Sequence, residues 1–276
     1  MTVSEWLIEA RIKLAPICGD SSLLEAQILL CTTIKKERVW LLAHPNDKLE
    51  ELASLADKLL KRRLNREPLA YITGKREFFG RVFEVTPATL IPRQETEMLV
   101  ELAANWLSEN SWANTIVDVG TGSGCIAISV ALECLDKEIV GVDVSREAIL
   151  IAEKNAKTLG ASVQFKHQDI FSEWQYGTFD LVLSNPPYVE NNASLEPELL
   201  LYEPLIALFS GEQGLEHIAQ LHQLFNQMVN ENGVMIIEHG NRQKADLESI
   251  FKEYQTTTFK DLAGHDRLTV IRRSQP

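Results

Sequence analysis

A basic surplus is missing from this sequence. Its 276 residues carry 27 Lys and Arg against 39 Asp and Glu, a formal net charge of −12. A chain that gripped duplex DNA through its phosphates would show the opposite balance, so nucleic acid is not expected as a direct partner. Long apolar runs are missing too. The opening residues MTVSEWLIEARIKL mix acids and bases among apolar positions and lack the continuous apolar core of a signal peptide. No later stretch approaches the run of about 18 apolar residues that spans a bilayer. These absences set the expectation of a cytoplasmic protein with no membrane partner, and a monomer is the starting assumption.

Cysteine is sparse. Cys18, Cys31, Cys125 and Cys134 contain no C-x-x-C spacing, and a reduced set of buried thiols is the economical reading. His217 and His222 stand five residues apart, a poor spacing for two ligands on one helical face, so no metal site is expected. Internal repeats and low-complexity segments are absent. At 45% hydrophobic and 24% charged, the composition is that of an ordinary globular chain, which excludes disorder.

The first 70 residues read as helices packed in a small bundle. Apolar positions recur at three- and four-residue intervals through Ser4-Glu5-Trp6-Leu7-Ile8-Glu9-Ala10-Arg11-Ile12-Lys13-Leu14, and Pro16 and Gly19 end that segment. Ser22 followed by Glu25 has the form of a capping box opening a second helix to about Thr33. A third helix is expected from about Lys48 to Arg66, with Leu49, Leu52, Leu55, Ala56, Leu59, Leu60 and Leu64 as its apolar stripe. From 71 to 92, Phe78, Phe79, Val82, Phe83 and Val85 punctuated by Gly74, Gly80 and Pro87 predict a β-hairpin linker.

Proline then disappears from Arg93 to Asn185. Short β-like runs at 115–119, 138–142, 163–166 and 179–184 alternate with helical patterns at 122–135 and 148–159. This alternation predicts a parallel sheet with crossover helices, an α/β domain over 93–276. Later signals are a strand at 233–238, a helix at 244–254, and strands at 257–260 and 268–272.

The sharpest local pattern is Ile116-Val117-Asp118-Val119-Gly120-Thr121-Gly122-Ser123-Gly124-Cys125, after the first of those strands. Glycines at alternate positions let the backbone turn sharply and approach a ligand. A dinucleotide fold wants a third small residue where Cys125 stands, and a P-loop wants a lysine that is absent. The next strand ends in Asp143, whose two oxygens suit a pair of ribose hydroxyls, and Ser145 fits the N-cap of the following helix. A generic tight turn with an unrelated acid is the bland alternative. Loop and strand-end acid in register favour a cofactor site.

After the strand at 179–184 comes Asn185-Pro186-Pro187-Tyr188. A proline turn ending a strand would look the same. Chemistry offers more. A planar NH₂ group has a delocalised lone pair and needs two acceptors for its hydrogens if one face is to be presented to an electrophile. The Asn185 side-chain oxygen and the Pro186 carbonyl can be those acceptors. Proline stiffens the carbonyl's direction, and Tyr188 can lie flat on the planar group. Positioning would then supply most of the catalysis.

Asp118 to Gly124, Asp143 and Asn185 to Tyr188 together resemble the amino- and amide-methylating class I methyltransferases. More closely, the chain resembles the release-factor N5-glutamine methyltransferase family (HemK, PrmC). The supporting segments are Tyr71-Ile72-Thr73-Gly74, Arg76-Glu77-Phe78-Phe79-Gly80, Leu90-Ile91-Pro92-Arg93-Gln94-Glu95-Thr96-Glu97, Tyr202-Glu203-Pro204, Glu238-His239-Gly240 and Gly264-His265-Asp266-Arg267. The resemblance implies a Rossmann-like, mostly parallel, seven-stranded sheet. With it come a helical N-terminal domain (1–70) that recognises the substrate protein and a linking hairpin (71–92).

It also implies S-adenosyl-L-methionine as cofactor, with S-adenosyl-L-homocysteine as product. Asp118, Gly120, Thr121, Gly122, Ser123, Gly124, Asp143, Ile170 and Asn185 would bind it. Asp118 would sit near its cationic end. Ile170 falls where the family often has an aromatic residue near the adenine, and Asp169 or Phe171 could share that contact. Asn185, Pro186 and Tyr188 would be catalytic and, with Pro187, would frame the substrate amide. Arg93, Glu95 and Glu97 would shape the pocket rim, and Gln94 departs from the family's usual second proline. The implied partners are class I peptide chain release factors, methylated at the glutamine of Gly-Gly-Gln. A ribosomal-protein glutamine methyltransferase is the near alternative. An adenine-N6 nucleic-acid methyltransferase is a more distant one, since its target must be flipped from the duplex. A non-catalytic binding module would have lost the loop glycines or Asn185, and all are present.

Overall fold

A computed structural model describes residues 1–274. The chain divides into two compact units, Met1–Lys75 with Leu195–Tyr202, and Arg76–Ser194 with Glu203–Pro276.

The first unit contains α1 (Val3–Cys18), α2 (Ser22–Ile34), α3 (Arg38–Ala43), α4 (Glu51–Leu64) and α5 (Leu69–Thr73). Helix α1 opens on a capping box in which the Glu5 N–H donates to Thr2 Oγ1 and the Thr2 N–H to Glu5 Oε2 (3.3 and 2.8 Å). Val3, Trp6, Ala10 and Leu14 form its buried stripe and meet Ala26, Leu29 and Leu30 of α2. As one helical run, Val3–Ile34 would be long and apolar enough to cross a bilayer. A 3₁₀ turn at Gly19–Ser21 cuts it into helices of 16 and 13 residues, each short of the ~20 that a span needs.

The capping box expected at Ser22 and Glu25 is not formed. Ser21 stands at the N-cap but turns its hydroxyl back to the Cys18 carbonyl and caps no helix N–H, and Glu25 instead receives Arg63 Nε at 2.6 Å. Arg63 is buried and also reaches Glu198 at 3.0 Å. In α4, Ala56 and Leu60 face the core, but Leu52 and Leu55 are exposed, so the stripe is narrower than the leucine spacing predicts.

In the second unit, β1 (Lys75–Phe78) and β2 (Arg81–Glu84) form the expected hairpin. Its two turn residues, Phe79 and Gly80, both have positive φ (50° and 68°), the geometry that matches the twist of paired strands. Then follow α6 (Glu97–Glu109), β3 (Thr115–Val119), α7 (Cys125–Glu133), β4 (Glu138–Asp143), α8 (Arg146–Leu159), β5 (Gln164–His167) and β6 (Phe179–Ser184). The chain continues with α9 (Pro197–Tyr202, part of the first unit), α10 (Glu216–Met228), β7 (Val229–Glu238), α11 (Lys244–Ile250), β8 (Tyr254–Lys260) and β9 (Asp266–Arg273).

The sheet has seven strands in the order β5-β4-β3-β6-β7-β9-β8. Five run parallel, and β9 enters antiparallel between β7 and β8. Strand β6 is buried along its whole length, as a central parallel strand covered on both faces must be. One core cluster joins α6 and α7 to the hairpin residues Phe78 and Phe83; a second packs α10 and α11 on the other face. Helices α6 and α10 were not anticipated from the sequence, although both carry buried apolar stripes.

From β3 the chain steps to β4 on one side, and β6 lies on the other. The strand order therefore reverses at β3, the point at which open α/β sheets form a crevice past the carboxyl ends of their strands, here β3 and β6.

Candidate active site

Register fixes what meets in that crevice. Val119 pairs with Val142 and with Ser184, so the residues that follow each of them emerge side by side. Strand β3 hands its chain to the glycine loop. The Gly120 and Thr121 N–H groups both donate to the Val142 carbonyl at 2.9 Å, pinning the loop to the end of β4. Gly120, Gly122 and Gly124 all have positive φ (76°, 55° and 80°), a region that costs other L-residues strain.

Their surroundings differ. A Cβ on Gly120 or Gly122 would meet nothing within 4 Å, whereas one on Gly124 would strike Ile128 Cδ1 at 2.8 Å and Ala152 Cβ at 3.1 Å. The first two glycines leave space above the loop, and the third lets α7 and α8 close up. Helix α7 accordingly begins at Cys125, after the loop, and not at 122.

Asp118 is fully buried behind the loop. Its Oδ2 accepts from Thr121 Oγ1 (2.6 Å) and from the Ala127 N–H (3.2 Å), while Oδ1 has no hydrogen-bond partner. Burial pushes its carboxyl up to about 7, against the pull of those bonds and with a further push from Asp143. Asp143 is half-buried. Its Oδ2 accepts from the Gly122 N–H and its Oδ1 from the Ser145 N–H, both at 2.8 Å. Burial raises this group too, chiefly against those backbone bonds. Asp143 is thus held by backbone donors, and Ser145 caps α8 through the Ala148 N–H as the sequence predicts.

Ser123 is buried with its hydroxyl unpartnered, and its carbonyl accepts from Asn155 Nδ2 at 2.9 Å. The same Asn155 takes the Glu84 N–H and donates to the Glu84 carbonyl (2.8 and 3.0 Å), tying the hairpin to the glycine loop. Sequence reading missed Asn155; a buried asparagine mid-helix gives no signal of its own.

The Gln168 N–H donates to the Asp143 carbonyl at 2.9 Å, so the 169–171 turn starts beside that acid. Ile170 is partly buried against the second core, and its carbonyl accepts from Gln220 Nε2. Phe171 is exposed and packs edge-on against His217, and Asp169 Oδ1 caps the Phe171 N–H.

At the end of β6, Ser184 Oγ donates to the Val119 carbonyl (2.8 Å), locking the two strand ends together. Asn185 is partly exposed and donates from Nδ2 to Thr96 Oγ1 at 3.1 Å. Pro186 is buried, and Pro187 and Tyr188 are half-buried. Burial pushes the Tyr188 hydroxyl up to about 12, with the Glu238 charge adding to the rise, so it stays protonated at neutral pH.

The backbone here is clamped by residues that sequence reading also missed. Gln243 Nε2 donates to the Tyr188 and Gly214 carbonyls (3.0 and 3.1 Å), and Gln243 Oε1 accepts the Gly240 N–H at 2.8 Å. A Cβ at Gly214 would stand 2.4 Å from the Tyr188 carbonyl oxygen, so that glycine is needed for close approach. Beyond the motif, Val189 forms a parallel bridge with Phe209.

Strand β7 pairs Ile237 with Ser184, which sets Glu238 alongside Asn185 at the next position out. Glu238 is buried, its Oε2 is unpartnered, and burial pushes its carboxyl up to about 7. Of the residues expected at the rim, Arg93 is held by Glu203 at 2.7 Å, and Glu203 also accepts the Ile91 N–H. Glu97 accepts the Phe79 N–H at 2.9 Å and so anchors the hairpin turn.

The space over Gly120 and Gly122, the unpartnered Asp118 oxygen behind them and the Asp143 carboxyl at the strand end fit a group rich in hydroxyl and amino donors, such as the nucleoside and amino-acid ends of S-adenosylmethionine. A planar amide or amine fits the other half, where Asn185 and the Pro186 carbonyl offer acceptors.

Comparison with known proteins finds relatives over nearly the whole chain. The family described as PrmC N-terminal domain matches residues 5–74, and that described as Methyltransferase small domain matches 94–203. The chain is 39% identical to a release factor glutamine methyltransferase of Buchnera aphidicola over 278 residues, covering 98% of this chain and 99% of that one. To the protein of the same name in Neisseria gonorrhoeae it is 41% identical, covering 98% and 97%. Among solved structures, the hMettl16 catalytic domain in complex with the MAT2A 3'UTR hairpin 6 superposes with a TM-score of 0.51 at 15% identity, over 81% of this chain and 82% of that one. A likeness at that identity is one of fold.

Proposed function

The chain belongs to the release factor glutamine methyltransferase family, and on that premise we propose that it methylates the side-chain amide nitrogen (N5) of the Gly-Gly-Gln glutamine in class I peptide chain release factors. The observation that carries this reading is that register sets the acceptor groups of Asn185 and Pro186 beside the glycine loop at one strand reversal.

S-adenosyl-L-methionine, when bound, supplies an electrophilic methyl group. Gly120, Thr121, Gly122, Ser123 and Gly124 hold it by close backbone approach. Asp143 offers acceptor oxygens to ribose hydroxyls, Asp118 places negative charge behind the loop, and Ile170 provides apolar surface for the base. Asn185 Oδ1 and the Pro186 carbonyl accept the two hydrogens of the substrate amide, which fixes its plane and turns one face outward. Pro186 and Pro187 stiffen the backbone that carries that carbonyl. Tyr188, kept neutral, covers the amide's flat side without acting as a base. The helices of 1–70 recognise the release factor, the hairpin of 71–92 links, and 93–276 performs the transfer. The protein acts in translation termination as a cytoplasmic monomer, and the net charge of −12 supports a protein partner over a nucleic acid.

Transfer of radiolabelled methyl to unmethylated release factor, ribosomal protein and duplex DNA, side by side, tests the reading. Label in the release factor, lost when its Gly-Gly-Gln glutamine is changed, is the expected result. Label confined to DNA or to ribosomal protein would overturn the substrate and keep the fold.

A further inference from the structure

Asn185 can face its substrate in two ways that differ by a half-turn of the side-chain amide. One offers the carbonyl oxygen and the other the NH₂ group. Only the first serves amide methylation, because the substrate nitrogen itself carries hydrogens and a second donor would repel it.

Thr96 stands at the start of α6, where a threonine ordinarily turns its hydroxyl onto the helix's free N–H groups. Here it makes no such cap. Its Oγ1 instead accepts from Asn185 Nδ2 at 3.1 Å. A hydroxyl has one hydrogen and two lone pairs, so it is a dependable acceptor only when that hydrogen is taken elsewhere. Left free, the hydrogen would go to the Asn185 oxygen and hold the amide the wrong way round. Glu238 is the acceptor at hand. The Thr96 hydroxyl lies close enough to pull its carboxyl down against the rise that burial imposes, both residues are at most 2% exposed, and Glu238 Oε2 has no partner that would give the acid another use.

We infer that Thr96 and Glu238 are positioning residues for methyl transfer: the Glu238 carboxylate holds the Thr96 hydrogen, Thr96 receives the Asn185 NH₂ group, and Asn185 thereby presents its oxygen to the substrate amide. The inference deepens the function proposed above and rests on it. The charged and titratable groups facing Glu238 are Arg93 and Glu95 before α6, the Cys125 thiol at the start of α7, Tyr188 in the proline turn, and Arg267 on β9. Arg93 and Arg267 are paired with Glu203 and Asp261. Glu238 is therefore governed mainly by its burial, which keeps it part-protonated near neutral pH. Once protonated it becomes a donor, and the Thr96 hydrogen is released.

The decisive substitution is Thr96→Val, which removes the hydroxyl at nearly constant volume. With release factor as acceptor, kcat is expected to fall about 100-fold, as for a misplaced catalytic group. Cofactor affinity measured by calorimetry should stay unchanged, and Thr96→Ser should restore most of the rate. In the unaltered enzyme kcat should drop as pH falls through about 7. Glu238→Gln, which keeps an acceptor oxygen but cannot titrate, should lose that acid limb. A Thr96→Val enzyme with normal kcat, or a Thr96→Ser enzyme no better than the valine, overturns the relay. If Thr96→Val does not fold, an acid limb in kcat at saturating cofactor that persists undiminished in Glu238→Gln overturns it, since Asp118, also raised to about 7, is the same in both proteins. An unaltered protein that binds cofactor but leaves release factor unmethylated would instead remove the function reading beneath it.

Discussion

The two halves of the crevice solve recognition in opposite ways. On the β3–β4 side the acids are fed by their own neighbourhood: Asp143 takes N–H groups from Gly122 and Ser145, and Asp118 takes Thr121 and Ala127, all within about two dozen residues of chain. On the β6–β7 side the partners are remote. Asn185 leans on Thr96, 89 residues earlier, and Tyr188 is held by Gln243, 55 residues later. A local half can be written as a motif, because backbone geometry alone brings its groups together. A remote half needs the sheet to form first. The first side therefore suits tight holding of an invariant small molecule, and the second suits fine adjustment of a single side chain.

The largest test of that contrast is Asn185→Ala. Methyl transfer to release factor should fall by about 1,000-fold or more, the scale of losing a group that acts at the reacting centre. Cofactor affinity should stay within a few-fold, because the β3–β4 side is left whole. Undiminished turnover would remove Asn185 from the mechanism, and a matching loss of cofactor binding would merge the two halves into one.

Next comes the pH dependence of folding without cofactor. The Asp118 carboxyl sits at about 7 in the fold against an ordinary value of 3.8. As pH rises between those values the unfolded chain gives up its proton first, so stability falls through that window and levels off above about 7. The loss from this group should be on the order of 2–4 kcal/mol, and Asp118→Asn should remove that share and leave the one that Glu238, raised to about 7 by its own burial, contributes. Denaturant titrations at pH 5 and pH 8 decide it: parallel curves for the two proteins would show that Asp118 is not buried as a charge.

A smaller effect separates Asp143 from Asp118. Asp143→Ala should weaken cofactor binding about 10- to 100-fold, the scale of losing charge-assisted hydrogen bonds, with kcat at saturating cofactor largely kept. A fall in kcat at unchanged affinity would reverse that assignment.

The smallest separates the glycines. Gly124→Ala should cost about 1–2 kcal/mol of stability from its φ and its contact with Ile128. Gly122→Ala meets open space, so beyond the strain of its own positive φ its cost should appear in cofactor affinity and not in a further fall of the melting temperature. Equal melting temperatures and equal affinities for the two variants would undo the distinction.

What the sequence determined by itself was everything that rests on short-range periodicity and backbone chemistry. Alternating β and helical runs without proline specified the α/β class, and glycines at 120, 122 and 124 with Asp143 after the next strand marked the crevice. Asn185-Pro186-Pro187-Tyr188 named the chemistry. Tertiary structure decided the rest. It drew Glu25 away from its expected cap to the buried Arg63, turned Leu52 and Leu55 outward, and started α7 only after the glycine loop. It also gave Asn155, Gln243, Thr96 and Glu238 their work. Those side chains are ordinary polar residues in sequence, and their value comes from burial and from partners dozens of residues away. A hydrogen-bond partner brought in by sheet register leaves no trace in local spacing, and so neither half-turn of Asn185 could be preferred until β6, β7 and the start of α6 had been placed together.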